Sequence, residues 1–169
     1  MYAFRVIGDA SVCPALASLI TNAPVHEFIR VALGRRARLC PRRMNAWFRE
    51  KLSQTGEWRL EYPIMYGSKA DFYHPTSGLL VEVQLGHYAF AGENLHWKFP
   101  LALDTRALEV RQCLLVVATD AARRFLDRSV AYLENVNRYY VDEEFCRKRL
   151  GPNIHVWGID IYSSDLGAK

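Results

Sequence analysis

The sequence predicts an α/β fold, a central mixed β-sheet flanked by helices, and three observations carry that expectation. Two hydrophobic runs, Lys69 to His74 and Leu79 to Leu85, bracket the turn residues Pro75-Thr-Ser-Gly78 and read as a β-hairpin. Gln112 to Ala118 is near-continuously aliphatic, the pattern of a strand covered on both faces. Segments of helical period flank the hairpin, Arg42 to Gln54 before it and Gly92 to Leu108 after it.

The elements follow in order. The chain opens with a strand, Ala3 to Ile7, then helix-like Pro14 to Thr21 and Val25 to Leu33, and a basic loop from Gly34 to Pro41. Arg42 to Gln54 sets Met44, Trp47, Phe48 and Leu52 at helical spacing, with Gly56 where a helix would end. After the hairpin, Gly92 to Leu108 reads as a helix that Pro100 must kink or interrupt. Beyond the strand Gln112 to Ala118, Thr119 and Asp120 can cap a helix from Ala121 to Tyr139 whose packing face is Phe125, Val130, Leu133 and Val136. The last strand runs from Ile154 to Tyr162. With 169 residues, half of them hydrophobic, and no internal repeat or linker, the chain is expected to fold as one domain over 1–169.

Composition excludes several classes. No run of about eighteen apolar residues exists, so no membrane span is expected. Arg5 and Asp9 break the N-terminal apolar stretch, which lacks a signal-peptide core, so the expected location is the cytoplasm. Cys13, Cys40, Cys113 and Cys146 lack Cys-x-x-Cys spacing, which indicates neither a zinc site nor a disulfide framework. The five histidines show no paired ligand spacing either.

The hairpin carries the chemistry. With Pro75 to Gly78 as the loop, antiparallel pairing sets His74 opposite Leu79, Tyr73 opposite Leu80, Phe72 opposite Val81, and Asp71 opposite Glu82. Facing carboxylates repel, so the arrangement needs a cation between them or a proton on one of them. Mg²⁺ suits such a gap, being held by one or two carboxylates with water and substrate phosphate. Strand alternation puts Gln84 on the face of Glu82, and Val81, Val83 and Leu85 on the apolar face. The carbonyl of Val83 lies between the two polar side chains.

Three motifs, Lys69-Ala-Asp71-Phe-Tyr, Val81-Glu-Val-Gln-Leu-Gly-His-Tyr-Ala-Phe90 and Asn94-Leu-x-x-Lys-Phe99, together resemble the nuclease core of BglII-type restriction endonucleases. These belong to the PD-(D/E)xK superfamily, in a branch whose final lysine is replaced by glutamine. The resemblance implies a restriction-endonuclease-like core over 41–162, with residues 1–40 as a dimer or DNA-contact region. It implies that Asp71 and Glu82 bind Mg²⁺ with the Val83 carbonyl, and that Gln84 stands in the lysine's place, Asp71, Glu82 and Gln84 forming the catalytic set. A glutamine amide can only orient water by hydrogen bonds, so more of the nucleophile's activation falls on the metal. Ser68-Lys69-Ala70 stands where the superfamily's name-giving proline would be. Glu50 is a candidate further metal ligand, or a surface partner of Arg49 or Lys51.

Charge agrees with a polyanionic substrate. Net charge is +4, but between Phe28 and Gly56 eight basic residues (Arg30, Arg35, Arg36, Arg38, Arg42, Arg43, Arg49, Lys51) face only Glu50. Neutralising phosphates with such residues releases counterions and gives sequence-independent affinity. Arg35, Arg36, Arg42, Arg43, His87 and Lys98 are the candidate DNA contacts, Lys98 otherwise being an exposed helical lysine, and Arg147-Lys-Arg149 forms a second basic cluster. The expected activity is that of a Mg²⁺-dependent type II restriction enzyme, a homodimer cutting a short palindromic site in double-stranded DNA, with a companion methyltransferase acting on the same site. A non-specific repair or anti-phage nuclease of the same superfamily, or an inactive DNA-binding module with this fold, are the alternatives.

Overall fold

The computed structural model describes residues 2–30, 37–87, 89–126, 130–142 and 150–163. Its strands are β1 (Tyr2–Ile7), β2 (Ile29–Arg30), β3 (Arg38–Leu39), β4 (Arg59–Pro63), β5 (Lys69–His74), β6 (Leu79–Val83), β7 (Gln112–Ala118) and β8 (Ile154–Ser163). Its α-helices are α1 (Pro14–Thr21), α2 (Val25–Phe28), α3 (Pro41–Gln54), α4 (Ala89–Glu93), α5 (Phe99–Thr105) and α6 (Leu133–Val136). Six strands form one sheet in the order β1-β8-β7-β6-β5-β4, and β2 pairs with β3 in a separate ribbon. β6, β7 and β8 run parallel to one another, whereas β1, β5 and β4 join antiparallel, so the sheet is mixed.

Both faces of the sheet are covered. On one, Val81, Val83, Leu114 and Val116 meet Leu16 and Ile20 of α1, Phe28 of α2, and Met44, Phe48 and Leu52 of α3. On the other, Leu80, Cys113, Leu115 and Val117 meet Ala91, Leu95, Phe99 and Ala102 of the α4 to α5 segment, and Val136 of α6. β7 is buried along nearly its whole length, as its unbroken aliphatic run requires. Among the described residues no helix is long and apolar enough to cross a membrane.

Several expected elements change. The helix expected over Val25 to Leu33 stops at Phe28; Ile29 and Arg30 are extended and pair with Leu39 and Arg38, so the loop expected from Gly34 to Pro41 contributes β3. α3 begins at Pro41, where a proline at the first helical position loses no hydrogen bond. β4 is an element that the sequence reading did not assign. It is an edge strand in which exposed residues alternate with half-buried Leu60 and buried Tyr62, and Pro63 is tolerated because one side of an edge needs no partners.

The helix expected over Gly92 to Leu108 runs instead from Ala89 to Thr105, with a π-helical turn, Asn94–Lys98, between α4 and α5. Pro100 is the physical reason: it has no amide hydrogen to give, and the wider turn before it lets Phe99 N–H reach the carbonyl of Asn94. The helix expected over Ala121 to Tyr139 is also divided. A 3₁₀ segment, Asp120–Phe125, precedes an extended stretch in which Val130 bridges His87 and Tyr132 bridges Ala118, and α6 with a π-helical turn, Asn137–Val141, follows. Thr119 does not cap this segment; its hydroxyl donates to Asp160, and the Glu134 carboxylate accepts the Asp120 N–H instead. Phe125, Val130, Leu133 and Val136 are nonetheless buried as the pattern requires.

The hairpin turn also locks two strands together. Gly78 has φ +64° and its carbonyl accepts from the amides of Arg111 and Gln112, which places the start of β7 beside β6. A Cβ there would lie 2.7 Å from the carbonyl oxygen of Glu109 and 2.7 Å from Arg111 Nε. Gly78→Ala is therefore expected to cost about 2–4 kcal/mol through left-handed strain and overpacking, measured by urea unfolding; a cost below about 0.5 kcal/mol, the range of neutral surface changes, would contradict this account of the turn.

Candidate metal and nucleic-acid site

The hairpin register is as the sequence predicts over His74–Leu79, Tyr73–Leu80 and Phe72–Val81. The regular ladder then stops, so the expected strand pair of Asp71 opposite Glu82 is not formed. At the next position the carboxylate of Asp71, not a backbone carbonyl, accepts the Val83 N–H at 3.0 Å. On the other side of β5, Leu60 pairs with Phe72 and Tyr62 with Ala70, but the intervening Glu61 has φ +49°. Leu60 and Phe72 pack into one core while Tyr62 and Ala70 pack into the other, so both strands change face across Glu61 and Asp71. Glu61 is held there by Arg49 of α3 at 2.8 Å and by Lys69 at 3.4 Å, and these cations keep its carboxyl below the usual range. Asp71 thus sits where ordinary sheet pairing is interrupted on both sides.

Glu82 is the penultimate residue of β6, beside Leu115 of β7, on the face covered by the α4 to α5 segment. Its side chain is 8% exposed. Such a carboxylate cannot be buried unaccompanied, and the cation that meets it is Lys98, whose Nζ donates to Oε1 at 2.9 Å. Lys98 is not the exposed helical lysine that helical spacing alone suggests; its side chain is 15% exposed. The π-helical turn that ends at Lys98 adjoins Phe99, fully buried, so Phe99 enters the core while Lys98 reaches β6.

Burial pushes the Glu82 carboxyl from its ordinary value of 4.5 to about 7, the charge of Asp71 adds to the rise, and Lys98 opposes it. The Cys113 thiol is likewise pushed up, first by burial and then by Glu82. The nearby cation that a buried carboxylate pair calls for is thus present as Lys98, while burial favours the protonated form of Glu82.

Gln84 is half-buried. Its backbone N–H donates to Val116 O at 2.8 Å, and its side-chain amide donates to the carbonyl of His87 at 3.4 Å. The strand itself ends at Val83, not Leu85. His87 is exposed, its ring edge toward Phe90. Asn94 is buried in the π-helical turn. Asp71, Glu82, Val83 and Lys98 are thus brought together, and Gln84 and His87 contact one another beside them.

Other candidates lie apart. Arg42 and Arg43 are exposed in the first turn of α3, Arg43 donating to the carbonyl of Glu27. Glu50 accepts from Gln54 and pairs with Lys51 at 3.7 Å, the surface role that was its alternative. Among the described residues no group of three or more His, Cys, Asp or Glu side chains is placed to hold a metal, so Glu50 does not complete a set with Asp71 and Glu82. Arg35, Arg36 and the cluster Arg147 to Arg149 lie outside the described residues. Sequence reasoning missed Lys98 as a partner of Glu82 because sixteen residues and a π-helical turn separate them. It missed Glu61 because nothing in the local composition signals a left-handed glutamate.

No protein-family model matches the sequence. No curated protein matches it. Among solved structures, the chain is similar to the restriction endonuclease BglII crystallised with a DNA 16-mer, with a TM-score of 0.58 and 14% identity over 97% of this chain and 79% of that one. The fold is restriction-endonuclease-like. At this identity the likeness concerns the fold alone.

The sign of the Glu82 shift gives a test in EDTA. The folded state holds a proton that the unfolded chain has released between about pH 4.5 and 7, so this group's contribution to stability falls as pH rises through that window. Wild-type stability minus that of Glu82→Gln should drop by about 3 kcal/mol from pH 4.5 to pH 7 in urea titrations. A pH-independent difference would contradict a buried, ionising Glu82.

Proposed function

We propose that the protein is a Mg²⁺-dependent endonuclease of double-stranded DNA, a type II restriction enzyme in its fullest form. The observation that carries the proposal is the meeting of Asp71 and Glu82 at an opened strand pair on a restriction-endonuclease-like fold. The neighbour's crystal contains DNA, which supports the same substrate class.

The donor set fits the ion. Asp71 and Glu82 offer hard carboxylate oxygens, and two such ligands with a backbone carbonyl suffice for Mg²⁺, which keeps water and takes substrate phosphate as its remaining ligands. In this reading Asp71, Glu82 and the carbonyl of Val83 hold the ion. Held there, the ion would supply the chemistry of polarising the scissile phosphate, lowering the pKa of water and offsetting negative charge at phosphorus. The chain's own groups do the rest. The buried sheet face around Leu80 and Leu115 excludes water behind Glu82. Gln84 orients the attacking water by hydrogen bonds once its amide leaves the His87 carbonyl. Lys98 supplies positive charge beside the acids, and Arg42 and Arg43, with Arg35 and Arg36, grip the phosphate backbone. Two-fold site symmetry calls for a homodimer in which each subunit cuts one strand.

One observation favours a second reading. Lys98 already neutralises Glu82, as a module that binds DNA without metal would require. Unmethylated phage DNA with Mg²⁺ or EDTA separates the two. The nuclease gives cleavage only with Mg²⁺, in discrete fragments if it is a restriction enzyme and as a smear if it lacks sequence specificity. Asp71→Ala and Glu82→Ala should then slow cleavage by about 100-fold or more while DNA binding in EDTA persists. Intact DNA in every lane with a folded protein, alongside a metal-independent mobility shift, would establish the binding module instead.

A further inference from the structure

We infer that Lys98 is the resident counter-ion of Glu82 beside Asp71: it offsets the Glu82 charge in the metal-free protein and competes with a divalent cation for that carboxylate. The inference rests on the metal-site reading above and adds a residue, outside the Glu-x-Gln triplet, that sets the site's affinity.

Three features of the geometry point to it. First, the Lys98 ammonium lies 2.9 Å from Glu82 Oε1 with both side chains largely buried, so the contact is an internal pair and not a surface one screened by solvent. Second, the neighbouring polar groups are engaged elsewhere: the Gln84 amide donates to the His87 carbonyl, and Asp71 accepts the Val83 N–H. Glutamine on the strand brings no charge, and the helix supplies the ammonium across the interface. Third, Lys98 ends a π-helical turn, an irregularity that alters which residues of the helix face β6 and that places Leu95 and Phe99 in the core on either side of it.

The physical consequence is a competition. Two cations cannot share one oxygen of a buried carboxylate without strong repulsion, so a divalent ion at Glu82 requires the ammonium to withdraw. The flexible four-carbon stem of lysine permits that withdrawal within the same cleft, where an anionic phosphate is the complementary group. Lys98 is in this sense a positioning residue: it acts on the site through Glu82.

The test is Mn²⁺ binding without DNA, by isothermal titration calorimetry at fixed pH and ionic strength, on wild type, Lys98→Gln and Lys98→Arg, with folding checked by circular dichroism. Lys98→Gln is expected to bind Mn²⁺ about tenfold more tightly than wild type, equivalent to about 1.4 kcal/mol, while its metal-free melting temperature falls and Mn²⁺ restores it by more than in wild type. Lys98→Arg, which keeps the charge, should stay near wild type. Lys98→Met, which keeps the apolar stem, replaces the glutamine variant if that one does not fold. Equal or weaker Mn²⁺ binding by the neutral variant overturns the inference and leaves the metal site standing. Absence of Mn²⁺ binding in wild type and variants alike overturns the metal-site reading itself.

Discussion

A carboxylate placed within an otherwise apolar strand is the constraint on which the rest of this structure depends. Glu82 is the penultimate residue of a β6 whose other residues are buried aliphatics, and it faces a helical layer whose contacts are Leu95, Phe99 and Ala102. Leaving an isolated charge there is prohibitive, so the opposing layer must deliver a cation or the acid must keep its proton. The segment from Ala89 to Thr105 delivers one. Its π-helical turn combines two demands, a lysine reaching the strand and a phenylalanine entering the core, in adjacent residues ahead of a proline that a regular helix interior would not accommodate.

The sheet contributes the second half of the site by failing to be regular. Between β5 and both of its neighbours, pairing lapses at Asp71: the Val83 amide turns to the Asp71 carboxylate on one side, and the left-handed Glu61 turns both strands over on the other. Positive φ at a non-glycine residue persists only where surroundings enforce it. Here Arg49 from α3 and Lys69 from β5 hold the Glu61 side chain, so α3 is tied to the strand that carries Asp71. A defect in the ladder frees a carboxylate that regular pairing would have aligned flat beside its neighbours, and the parallel β6, β7 and β8 behind it supply the rigid support.

The central architecture was legible in the sequence where local pattern and burial agree. The aliphatic run Gln112 to Ala118, the turn at Pro75 to Gly78 and the pairing of Phe72 with Val81 follow from hydrophobicity and turn chemistry, whereas the expected continuation of that ladder to Asp71 opposite Glu82 does not form. What escaped was set by tertiary context. Ile29 and Arg30 leave the expected helix because a partner strand waits at Arg38 and Leu39. The segment Ala121 to Tyr139 breaks because Val130 and Tyr132 bridge to other elements, a preference no helical periodicity reports. β4 was invisible because an exposed edge strand carries little hydrophobic signal. Lys98 looked like any helical lysine, since its partner is revealed only when the helix and β6 are placed face to face.

The central claim, that Asp71 and Glu82 form a divalent-metal site guarded by Lys98, is tested most directly by anomalous diffraction from crystals equilibrated with Mn²⁺. The account predicts a peak bound by Asp71 and Glu82, with Lys98 Nζ drawn away from its 2.9 Å contact with Glu82. A saturating soak that leaves the Lys98 to Glu82 pair intact, with no anomalous peak at these two carboxylates, would contradict it.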